Sequence, residues 1–80
     1  MIAPSSSING TSKDELLEQL IRVCDALRAA RHKMHEAAPN GRDYLKPGSF
    51  QLAQDEHVAR LRRIEDLLRE YEQLAEAVSG

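Results

Sequence analysis

The chain has no tryptophan, one phenylalanine and two tyrosines in 80 residues. Aromatic rings bury the most surface per residue, so any core must be aliphatic and thin. A single cysteine, Cys24, excludes an internal disulfide and suits a reducing compartment. No apolar run approaches the roughly 18 residues that a membrane span needs. Residues 1–11 lack the basic and apolar regions of a signal peptide, and a cytoplasmic location is expected. Excess charge is lacking too. The formal net charge of −2 argues against a general nucleic-acid or membrane binder.

What the chain does have is helical periodicity. Leu16, Leu20, Val23, Leu27, Ala30, Met34 and Ala37 recur every three or four residues, forming one apolar seam. Leu17, Ile21 and Cys24 widen it in the first half only, and Arg28 and Arg31 continue that edge with charge. Ser12 and Glu15 form a capping box at the start, and Pro39 stops the helix. The first helix is therefore expected over residues 12–38.

A second seam, Leu61, Ile64, Leu68, Tyr71, Ala75 and Val78, predicts a helix over residues 49–78. Ser49 is its expected N-cap, Asp55 and Glu56 fall in its early turns, and Leu67 and Leu74 add a second edge. The helices are read as about equal in length, near 25 residues each, with Ser79 and Gly80 fraying beyond the second. Residues 1–11 read as a flexible arm and residues 39–48 as a shaped loop with Asn-Gly and Pro-Gly turn signals. No β-strand pattern appears.

These elements give an all-α fold, an antiparallel hairpin of two long helices with one structured loop over residues 12–80. Its seams are wider than one partner helix needs. Small chains with thin cores fall back on disulfides, metals or association. A homo-oligomeric bundle, a dimer or a higher ring, is thus expected. Leu17, Ile21, Cys24, Leu67 and Leu74 are its candidate interface residues.

Charge is polarised along the chain. Residues 22–63 hold nine Lys or Arg against five Asp or Glu, and the rest hold two against eight. In a hairpin the loop end becomes basic and the terminal end acidic. One reading is solubility and register, with opposite ends meeting across an antiparallel dimer. The sharper reading is an anion site at the loop. Asn40 and Gly41 could take left-handed geometry and turn amides toward an anion. Arg42 and Lys46 supply charge and Tyr44 a stacking face, with Arg28, Arg31, His35 and Arg60 approaching the same end. The plain alternative has Tyr44 and Leu45 plugging the bundle while Arg42 caps helix 1 and pairs with Asp43.

Other chemistry finds little support. His32, His35 and His57 lack the Glu-x-x-His spacing of carboxylate bundles, so they are read as solvated or interface side chains rather than metal ligands. Cys24 lies on the seam with no histidine within a turn, and the serines sit in the arm or at caps. No enzyme and no cofactor is expected. Arg60, Arg62 and Arg63 fall on different helical faces, which makes nucleic acid an unexpected partner.

Two binding functions remain. The first is an adaptor or inhibitor that grips a protein partner, in the manner of a virus- or plasmid-encoded accessory protein. The second sequesters a phosphorylated small molecule, such as a nucleotide signal, at the basic loop. Small helical phage proteins that capture nucleotide signals are similar in size and architecture, with no motif in common.

Overall fold

The structure, a computed structural model, describes residues 1–4 and 12–80. Helix α1 spans Lys13–Glu36 (24 residues), a 3-10 turn spans Gly41–Asp43, and helix α2 spans Ser49–Ser79 (31 residues). The two helices pack along one another as a hairpin, and no strand occurs among the described residues. The expected arm lies outside the described residues at 5–11, and Met1–Pro4 has no regular structure.

Local chemistry sets the helix ends. The Ser12 hydroxyl accepts from the Glu15 amide at 3.2 Å, and Asp14 and Glu15 sit in the first turn, where they offset the positive end of the helix dipole. At the other end, the Ala37 amide donates to both the Lys33 and Met34 carbonyls at 3.1 Å. The helix tightens there because Pro39 disfavours helical geometry at Ala38. α1 therefore stops at Glu36, two residues short of the expected boundary.

The start of α2 differs from expectation. Gly48 occupies the N-cap position at φ 80°, a left-handed conformation open to glycine at little cost. Ser49 is already helical, and its hydroxyl donates backward to the Lys46 carbonyl at 2.7 Å. At the far end, the Gly80 amide reaches the Glu76 carbonyl at 2.8 Å, which holds Ser79 inside the helix instead of fraying. The helices are also unequal. At 1.5 Å per residue, α1 is about 36 Å long and α2 about 46 Å. The first turns of α2 outreach α1 and pack against the loop, where a Cβ on Gly41 would lie 3.9 Å from the Phe50 ring.

The core is thin. Among the described residues only Leu20, Cys24 and Leu68 are buried. Leu16, Val23, Leu27 and Met34 of α1 and Leu61, Ile64, Tyr71, Ala75 and Val78 of α2 are half-buried, as the seams predict. Ala30 and Ala37 are exposed while Arg31 is half-buried, so α1 presents a face rotated toward Cys24. Cys24, expected at an oligomer interface, is instead buried within the hairpin at 4% exposure.

Candidate binding surfaces

The loop end does not form the cradle that its sequence suggests. Asn40 is extended at φ −112°, and its side-chain carbonyl accepts from the Arg42 amide at 3.0 Å. The Asp43 amide donates to the Asn40 carbonyl at 3.0 Å and the Tyr44 amide to the Gly41 carbonyl at 3.3 Å. These amides are committed to the turn itself. Among the described residues only Gly48 has a positive φ, so the left-handed Asn40–Gly41 geometry is absent. The short Asx turn satisfies the backbone locally, which removes the tendency to face an anion.

The loop side chains divide. Arg42 and Lys46 are exposed, and neither forms an ion pair among the described residues. The expected Arg42–Asp43 pair is not made. Tyr44 lies 6.2 Å from Phe50, centroid to centroid, with the rings tilted by 36°. Phe50 is half-buried at this end, while Tyr44 beside it remains exposed. Leu45 points into solvent at 89% exposure and plugs nothing.

Arg28 is drawn elsewhere. It donates to Asp25 at 3.1 Å and across the hairpin to Glu72 at 2.8 Å. The Glu72 bond holds the guanidinium pKa above its ordinary value, and the nearby carboxylate charges act in the same direction. Arg28 thus lies about 12 Å from the loop end of α1, as a register pin and not a ligand group. It makes the one ion pair joining the two helices among the described residues. Arg31 is half-buried beside the seam, and His35 is exposed one turn further on. His32 Nε2 lies 3.2 Å from Glu36, which also meets Lys33 at 3.3 Å.

His57 departs from the solvated reading. Its Nε2 is buried and has no hydrogen-bond partner among the described residues. No group of three His, Cys, Asp or Glu side chains among the described residues has an arrangement that could hold a metal ion.

The interface candidates separate onto opposite sides of the hairpin. Ile21, 47% exposed, lies two turns before Arg28 on one row of α1, so it shares the face of the Arg28–Glu72 bond. Leu17 borders that row and is half-buried. On α2, Val58 sits two heptads before Glu72 on this same face and is 51% exposed. Leu67 lies five residues before Glu72, about 140° around the helix. With the half-buried Leu74 it forms the other flank, and Leu67 is 42% exposed. On that flank a cavity of about 170 Å³ is lined by Met1, Leu67, Glu70, Tyr71 and Leu74.

Several surface residues were not singled out from sequence. Val58 and Leu52 (61% exposed) break the periodicity of the α2 seam, and that misfit was the available signal. Phe50 was overlooked although it is the only phenylalanine. Among the described residues no helix is long and apolar enough to cross a membrane. No protein-family model, curated protein or solved structure matches the chain.

Proposed function

We propose that this chain is a non-catalytic binding protein, a homo-oligomer of helical hairpins that engages a protein partner as an adaptor or inhibitor. The observation that carries the reading is the three-residue core beside exposed Ile21, Val58 and Leu67. One layer of helix contact leaves apolar flanks in water, and association removes that cost. A free, buried Cys24 fits residence in the reducing cytoplasm.

Capture of a phosphorylated small molecule at the loop is the second reading. Arg42 and Lys46, exposed and without an ion pair among the described residues, favour it, although the Asn40 turn supplies no backbone cradle. Native mass spectrometry of protein purified from cells tests both. A bare multiple of the 9.0 kDa protomer is expected. Extra mass of a few hundred daltons per site, lost in the Arg42→Ala variant, would replace the first reading with the second. A bare monomer would end the oligomer reading.

A further inference from the structure

The two flanks are not equivalent, and their charges differ in arrangement. On the Leu67 flank, Arg63 and Glu70 stand one turn before and one turn after Leu67, along the outer side of α2. Both are exposed, and neither forms an ion pair among the described residues. Opposite charges placed symmetrically about an exposed leucine are self-complementary under a two-fold axis. An axis passing beside Leu67 brings Arg63 of one copy to Glu70 of the other, twice, with the two leucines between. The same operation sets the first half of α2, which carries Arg60, Arg62 and Arg63, over the acidic second half of the partner copy.

We infer that the Leu67 flank binds a second copy of this chain, α2 against α2 in antiparallel order, with the two-fold axis at Leu67. This rests on the oligomeric reading above and specifies its interface. Leu67 of the second copy packs at the cavity beside Tyr71, and Arg63 and Glu70 fix the register. A parallel pairing would set like charges together, which is disfavoured. Among the described residues, Met1–Pro4 leave most of this face open. Met1 lines the cavity but is 66% exposed and Ile2 is 92% exposed, so the segment covers little of it. The opposite flank, with Ile21 and Val58, then stays open for a different protein.

Single cysteines and charge swaps distinguish this interface from other modes of assembly. Leu67→Cys is expected to give a disulfide-linked dimer under mild oxidation and Ile21→Cys to stay monomeric on denaturing gels, since Cys24 is buried. Arg63→Glu and Glu70→Arg should each weaken the dimer at least tenfold in sedimentation equilibrium, and the double swap should restore it. Circular dichroism of each variant reports whether the hairpin itself is intact. An oligomer that survives Leu67→Asp, or that Ile21→Asp abolishes instead, would overturn this interface while leaving the oligomeric reading standing. A folded wild-type monomer at all concentrations would remove both. Loss of the dimer on deletion of residues 1–4 would make the N-terminal segment, and not Leu67, the contact between copies and would also overturn the proposal.

Discussion

At the residue scale, burial separates side chains that look alike in composition. Leu68 is 4% exposed and touches the opposing helix, whereas Leu45 is 89% exposed in the loop. Truncating a buried leucine removes its transfer energy and leaves a cavity, at a cost of about 2–5 kcal/mol. An exposed leucine has nothing comparable to lose, and its change stays within about 0.5 kcal/mol. Leu68→Ala is therefore expected to abolish or nearly abolish the folded state in urea titrations, and Leu45→Ala to leave the midpoint unchanged. Equal losses would restore the idea that Leu45 plugs the loop end. The Arg28–Glu72 bond is a weaker contributor. Both side chains remain close to half exposed, and solvent screens such pairs so that they add little to stability. It specifies how the helices align more than how firmly they hold.

At the element scale, the turn before α2 depends on Gly48. At φ 80° any side chain is strained even though no atom crowds the position. Gly48→Ala should lower stability by about 1 kcal/mol, while Ser49→Ala, which removes only the bond to the Lys46 carbonyl, should cost less. The ranking is measured by paired denaturant melts, and a larger loss for Ser49→Ala would return the capping role to that serine. Here the sequence was legible in kind and misleading in detail. Ser, Asp and Asn are good caps on average, but the cap belongs to whichever residue the preceding turn places there, and Pro47–Gly48 placed glycine. Asn40–Gly41 carries less than its turn signal suggests for a similar reason: an Asx bond from the Arg42 amide satisfies that turn without left-handed geometry at either residue. Both seams were legible because a 3.6-residue period survives any choice of partner. Which way α1 turns about its axis was not, since Ala30 and Cys24 differ little in character. The separation of Ile21 from Leu67 needed the Arg28–Glu72 register, which no pattern within one helix contains.

At the scale of the whole molecule, the question is whether one hairpin is sufficient as a folding unit. Three buried side chains among the described residues are few against the backbone entropy of two long helices. Helices of this kind draw most of their stability from tertiary packing rather than propensity. If association supplies the remainder, unfolding and dissociation are one equilibrium and stability depends on protomer concentration. The melting temperature should then rise steadily across a hundredfold increase in protein, with far-ultraviolet dichroism and sedimentation changing together. Leu67→Asp alters a residue that is 42% exposed in the hairpin, so in an isolated hairpin it should change little. In a coupled system it should lower the melting temperature and remove its concentration dependence. A concentration-independent melt for the wild type would mean that the hairpin stands alone, and its exposed flanks would then have to be explained by a partner of different sequence.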